Sequence, residues 1–261
     1  MSALTLNLRE YGGRDGPLAP IVLLHGLFGS SANWHGIARR LAAERRVLAP
    51  DLRNHGRSPH HPRMTYPAMA ADLLALLDAQ GIAQAALVGH SMGGKAAMWL
   101  ALEAPHRVQA LAVADIAPVA YPGRFEGLLQ ALADLDLDGL ANRREADARL
   151  AAALPDAALR GYLLQGLARE GGRWHWRTNL TALGAGMADI LGFPDPAGRQ
   201  YAGPTLFLYG TESDYVTGAH LPVIRQLFPL ARLRSLPGAG HWLYAEQPET
   251  FLAALRGLLK G

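Results

Sequence analysis

The chain contains no cysteine at all, which excludes a disulfide framework, a thiolate nucleophile and any cysteine-based metal site. Nucleophilic chemistry must then use oxygen or nitrogen. Charge is also scarce, at 18% of residues, and the arginines are scattered in pairs such as Arg39 and Arg40, Arg45 and Arg46, Arg143 and Arg144. A formal net charge of +3 spread in this way gives no electrostatic footprint for a nucleic acid or an anionic membrane surface. No apolar run approaches the roughly 20 residues that would cross a bilayer. The opening MSALTLNLREY lacks the basic, apolar, then small-residue order of a signal peptide. These absences lead to the expectation of a cytoplasmic protein whose partner is a small molecule, with no nucleic acid and no membrane involved.

What is present is 50% hydrophobic residues over 261 positions, enough to fill the core of a single α/β domain. Short apolar runs (Ile21 to Leu24, Val47 to Ala49, Ala85 to Val88, Leu111 to Val113) alternate with helical patterns at Trp34 to Ala43, Tyr66 to Gln80 and Met92 to Glu103. Repeated β-α-β of this kind predicts a mainly parallel sheet flanked by helices. The rhythm breaks between Pro118 and Gly203. Helices are predicted there over Arg124 to Leu135, Leu140 to Ala153 and Asp156 to Glu170, followed by a Trp174-His175-Trp176-Arg177 stretch. Residues 118–203 therefore read as a helical cap inserted into a core made of 1–117 and 204–261. The sheet resumes at Thr205 to Tyr209, an edge strand is predicted at Arg232 to Leu236, and Thr250 to Leu259 closes as an amphipathic helix. Ligands of such sheets lie beyond the carboxyl ends of the strands.

Directly after the third apolar run stands Gly89-His90-Ser91-Met92-Gly93, a G-x-S-x-G sequence between a strand and a helix. A turn this tight lifts the Ser91 hydroxyl clear of the sheet, and flanking glycines remove Cβ atoms that would clash. The Met92 amide, at the start of the following helix, is placed to donate to a developing oxyanion. A second donor is expected from the loop His25-Gly26-Leu27-Phe28-Gly29-Ser30, from Leu27 before Phe28, with His25 bracing the loop. The base is expected after the last strand, at His241 in Gly238-Ala239-Gly240-His241-Trp242. Of the other histidines, His35, His55, His60, His61, His106 and His220 are expected at the surface, His90 to point away from the elbow, and His175 to sit half-buried in a strand. For the acid that orients the imidazole, the order Ser, Asp, His leaves Asp115 and Asp214 open. Spacing alone gives a slight preference to Asp214, and Glu212 is a third option.

The segments HGLFGS at 25–30, PDLRNHGRSPH at 50–60, VGHSMGGKAAM at 88–98, ADIAPVAY at 114–121 and GAGHWLYAEQP at 238–248 together resemble the α/β-hydrolases, and within them the bacterial YbfF-type esterases. The resemblance implies the α/β-hydrolase fold, no metal and no organic cofactor. It moves the acid to Asp115, within DIAPV. It also implies a helical cap over Ser91, with Phe28, Tyr121, Phe125, Trp174 and Trp176 as wall residues. Asn54, His55 and Arg57 are then structural supports and Lys95 a packing or salt-bridge residue. The activity so implied is cleavage of small carboxylic esters, or thioesters, through an acyl-enzyme. A small-molecule receptor on the same fold, with slow or incidental hydrolysis, is the alternative from another class, and the oligomeric state is left open.

Overall fold

In a computed structural model of the protein, residues 3–13, 18–123 and 125–260 are described. Four strands open the chain: β1 (Leu8–Tyr11), β2 (Ile21–Leu24), β3 (Val47–Pro50) and β4 (Ala85–His90), with helices α1 (His35–Leu41) after β2 and α2 (Tyr66–Ala79) after β3. Helix α3 (Met92–Glu103) then leads to β5 (Val108–Ala114). The expected crossover helices form within one to two residues of their predicted limits, except that the turn Ser31–Trp34 ahead of α1 is a 3-10 helix. Thr65 caps α2 by accepting from the Ala68 amide, a partner for one of the donors a helix start leaves free.

The sheet has the order β1-β3-β2-β4-β5-β8-β9, with β8 spanning Thr205–Gly210 and β9 Ala231–Leu236. All neighbours are parallel except β1, which runs antiparallel to β3 along the edge. The sequence reading had no strand at Leu8–Tyr11, because a four-residue stretch with Arg9 and Glu10 in the middle carries no apolar signal. The central strands show why runs of apolar residues belong here. Val22, Leu24, Leu87, Leu111 and Val113 pack into one core cluster, while Ile21, Leu23, Ala86, Val88, Ala110 and Ala112 pack into another. Side chains of a strand alternate between faces, so a sheet covered on both sides needs both sets to be apolar. Helix α3, buried over nearly its whole circumference, fills one face, and α11 (Pro248–Leu259) helps close the other, with Phe251, Leu252 and Leu255 in the second cluster.

Between β5 and β8 the chain forms α4 (Glu126–Ala133), α5 (Arg143–Leu150), α6 (Ala157–Leu163), the strands β6 (Leu167–Glu170) and β7 (Arg173–Trp176), then α7 (Leu180–Ala185) and α8 (Met187–Leu191). Arg124, the expected start of the first of these helices, lies outside the described residues. The helix expected over Asp156 to Glu170 ends at Leu163 instead. Its last residues become β6, which pairs antiparallel with β7 so that Glu170 faces Arg173. Gly171 and Gly172, at φ +58° and +83°, form the two-residue turn, a backbone that L-residues avoid and that joins two strands rather than extending a helix. After β8, α9 (Leu221–Leu227) precedes β9, and α10 (Leu243–Glu246) precedes α11. Among the described residues no helix is long and apolar enough to cross a membrane.

Candidate active site

The carboxyl ends of β2, β4, β5, β8 and β9 lie on one edge of the sheet. Leu24 is level with Gly89, His90 with Ala114, and Ala114 with Leu208. The loops that follow these strands carry Leu27, Ser91, Asp115, Ser213 with Asp214, and His241, so residues up to 214 positions apart along the chain meet on one rim. At the elbow Ser91 adopts φ +51°, ψ −119°, a region sparsely populated by residues with a side chain. The surroundings hold it there. The Ser91 amide donates to Ala114 O at 3.0 Å. A Cβ on Gly89 would stand 2.2 Å from Gly93 O, and one on Gly93 would stand 2.4 Å from Leu24 O, so strand, turn and helix approach too closely for any residue but glycine.

His241 Nδ1 lies 2.7 Å from Asp115 Oδ2. Asp115 is fully buried and, like Ser91, has a positive φ of +55°. Its Oδ2 also accepts from Ser213 Oγ at 2.5 Å and its Oδ1 from the Gly210 amide at 3.3 Å. A buried carboxylate is sustained by such donors. Asp214 stands on the wall of the adjoining cavity, and Glu212 is exposed, its amide donating to Ala239 O. Two rings pack against that of His241: Tyr215 stacks on it at 4.1 Å and 23°, and His90 lies 4.6 Å away, tilted by 49°. His90 is buried behind the elbow with Nε2 2.8 Å from the His241 carbonyl oxygen, so Nε2 carries the proton. Burial, followed by proximity to His241, holds it well below the usual histidine range, hence neutral.

The loop after β2 is held by two further buried histidines. His25 Nε2 accepts from the Leu52 amide at 2.9 Å and His55 Nε2 from the Phe28 amide at 3.1 Å, the rings meeting edge to face at 5.1 Å. The expected surface position of His55 is corrected: it is completely buried, because the loop after β3 folds in beneath the loop after β2. Burial, reinforced by neighbouring His25, drives its pKa down to about 3, and burial likewise lowers that of His25. Both are acceptors by virtue of being neutral. With the Phe28 amide taken by His55 and Phe28 itself at φ +63°, the Leu27 and Met92 amides are the ones without a protein acceptor among the described residues. His55 was legible only as a turn residue; nothing in local sequence states which amide it will meet.

A cavity of about 280 Å³ adjoins Ser91, walled by Leu27, Met92, Ile116, Tyr121, Phe125 and Leu191 among others. Of the expected wall residues, Tyr121 and Phe125 line this cavity. Phe28, Trp174 and Trp176 do not. Phe28 packs against Phe125 at 6.3 Å from beneath the loop, facing a separate surface cavity. The indole N–H groups of Trp174 and Trp176 donate to Leu140 O and Leu132 O, which turns both rings into the packing of the inserted segment. His220, set aside in the sequence as a surface histidine, lines the cavity instead. Lys95 also reaches this wall, buried, its Nζ 2.7–2.8 Å from the carbonyls of Val119, Leu191 and Gly192. It makes no salt bridge among the described residues. Burial pulls its pKa down to about 7, and the three carbonyls oppose that by stabilising the charged form. Among the described residues no cluster of three or more His, Asp or Glu side chains could hold a metal ion.

Comparison with known proteins agrees with this architecture. A family model described as the alpha/beta hydrolase fold matches residues 19–248. The mouse (Mus musculus) protein named sn-1-specific diacylglycerol lipase ABHD11 is 42% identical over 253 residues, covering 94% of this chain and 82% of its own. Esterase YbfF of Escherichia coli strain K12 is 39% identical over 242 residues, covering 92% of this chain and 93% of its own. A solved structure described as a marine microorganism esterase superposes with a TM-score of 0.93 at 36% identity, over 98% of this chain and 100% of that one. The chain belongs to the α/β-hydrolase fold family, and these three relatives are named as esterases or a lipase.

Proposed function

We propose that the protein is a serine carboxylesterase, with Ser91 as nucleophile, His241 as general base and Asp115 as the acid that orients it. The observation that carries this reading is the 2.7 Å contact between His241 Nδ1 and Asp115 Oδ2, on the rim where the strained Ser91 turn opens into the cavity. An acceptor at Nδ1 keeps the proton on that nitrogen and leaves Nε2 free to receive one. Ser91 Oγ attacks the ester carbonyl carbon as His241 Nε2 takes its proton. The oxyanion is held by the Leu27 and Met92 amides. Collapse expels the alcohol with the proton from His241, leaving an acyl-Ser91 ester. Water, deprotonated by His241, then attacks that ester and releases the carboxylic acid. No cofactor enters these steps.

Segment 118–203 acts as the cap that roofs the cavity. At about 280 Å³ the cavity is at the small end of ligand sites. Together with a wall dominated by apolar and aromatic side chains, this size favours short or medium acyl groups. Thioesters of the same acyl groups fit the same chemistry.

The test is hydrolysis of p-nitrophenyl esters from acetate to octanoate by the wild type and by a folded Ser91→Ala variant. Turnover is expected in the wild type and a loss on the order of 10⁴- to 10⁶-fold in the variant. Undiminished activity in the variant would remove Ser91 from the mechanism. Ligand binding that stabilises both proteins equally, with no turnover in either, would make the protein a receptor.

A further inference from the structure

Lys95 is neither nucleophile, base nor oxyanion donor in the proposed reaction, yet it is buried to 1% exposure one turn after the elbow, its amide donating to Ser91 O. Its three carbonyl partners come from two places in the inserted segment, 72 and 73 positions apart. Val119 lies just after β5, and Leu191 and Gly192 lie at the end of α8. The last carbonyls of a helix have no partner within it, and they form the negative end of its dipole. Tyr66 takes another of them, its hydroxyl donating to Ile190 O at 2.6 Å. Leu191 O accepts from the Tyr121 amide as well, at 3.0 Å, and the Tyr121 ring lies under the ammonium, 4.8 Å from Nζ to its centroid. An ammonium has three N–H donors and no acceptor, so the three carbonyls use its whole capacity and none is left for a substrate group.

We propose that Lys95 is a positioning residue that clamps the start of segment 118–203 and the end of its helix α8 to the core and thereby sets how long an acyl chain the cavity accepts. The inference rests on the reading of this cavity as the acyl site. The residues tied by the clamp, or directly beside them, are themselves cavity wall: Ala120, Tyr121, Ile190 and Leu191. Releasing the ammonium removes the one side chain that bonds Val119 O and the end of α8 together among the described residues, and leaves that junction to the Tyr121 amide bond to Leu191 O and the Tyr66 hydroxyl bond to Ile190 O. The wall then moves outward and the cavity lengthens.

The experiment compares wild type, Lys95→Met and Lys95→Arg in the p-nitrophenyl ester series and by amide hydrogen exchange. In Lys95→Met the preferred chain is expected to lengthen, with KM for the wild-type optimum rising about tenfold while kcat falls less. Exchange at residues 119–121 and 190–193 is expected to quicken about tenfold or more, reporting local opening. Lys95→Arg, which keeps donors and charge, is expected to lie between. A folded Lys95→Met with unchanged chain-length profile and unchanged exchange overturns the proposal, as does a loss of kcat with KM and profile intact. Should Lys95→Met not fold, Tyr66→Phe, which removes only the tie to Ile190 O, is expected to show the same direction of change at 190–193, and no change there overturns the proposal. The exchange readout does not depend on turnover, so an inactive wild type would defeat the esterase reading without deciding the clamp.

Discussion

His90 Nε2 donates a hydrogen bond to the main-chain carbonyl of His241 at 2.8 Å, so the residue beside the candidate nucleophile holds the backbone of the candidate base. Its other ring nitrogen has no partner among the described residues and faces Gly26, where a Cβ would come within 2.8 Å. One imidazole therefore links the loops after β2, β4 and β9.

That link predicts a graded result. His90→Ala frees the His241 backbone and is expected to lower kcat about 10- to 100-fold, the scale on which small misplacements act. His90→Gln, whose side-chain amide can still donate, is expected to recover much of the loss. Steady-state kinetics of the two variants decide it, and equal losses would show that shape rather than the hydrogen bond matters.

The choice of acid is tested by a pair of variants. Asp115→Asn preserves size but offers Nδ1 the wrong partner, and kcat is expected to fall on the order of 10⁴-fold. Asp214→Asn, on the cavity wall, is expected to act mainly on KM and to keep kcat within about tenfold. The reverse pattern would transfer the role to Asp214.

His55 supplies a test of the oxyanion loop. His55→Ala leaves the Phe28 amide buried without its acceptor and loosens the backbone that aims Leu27. Losing an oxyanion donor outright costs roughly 10²- to 10³-fold; a loosened one is expected to lower kcat by about 10-fold or more with KM nearly unchanged. A rise in KM alone would place His55 in substrate binding instead.

Three buried neutral histidines make the fold sensitive to acid. His25, His55 and His90 all have folded-state pKa values below the ordinary histidine value, chiefly through burial, His55 at about 3. In the unfolded chain they take up protons near pH 6.5 while the folded protein does not. Stability from this source is therefore complete above about pH 6.5 and declines below it, the His55 part being lost by up to ~1.4 kcal/mol per pH unit as pH falls toward 3. Urea midpoints between pH 7.5 and 4.5 should decline, and the decline should flatten in a folded His55→Asn variant. A flat profile in the wild type would mean that these rings are protonated in the folded state.

Much of the fold was legible because both faces of the central sheet are covered, which forces unbroken apolar runs into β2, β3, β4, β5 and β8. Outside that condition legibility was partial: β9 showed by its alternation and His175 was expected in a strand, but β1 and β6 were not read. β1 is an edge with charged residues, and β6 with β7 forms a hairpin whose signal is a pair of glycines rather than a hydrophobic period. The residue types of the candidate site were legible from strand-terminal loops. The wall of the cavity was only partly so: Tyr121 and Phe125 follow β5 directly, whereas Trp174 and Trp176 sit on a hairpin whose direction depends on where Leu132 and Leu140 offer carbonyls.

By itself the sequence determined the alternation of strands and helices, the glycine-bounded turn around Ser91 and the order of its candidate partners, because these depend on neighbours within a few residues. Spacing within the sequence left the acid open and only the family resemblance pointed to Asp115; the tertiary structure brings that carboxylate to His241, and it alone decided that His55 and His90 are buried acceptor and donor and that Lys95 joins two places 73 positions apart (Val119 and Gly192). Each of those is a distance between residues remote along the chain, fixed by how strands register and loops close over one another, and no local pattern of residues contains it.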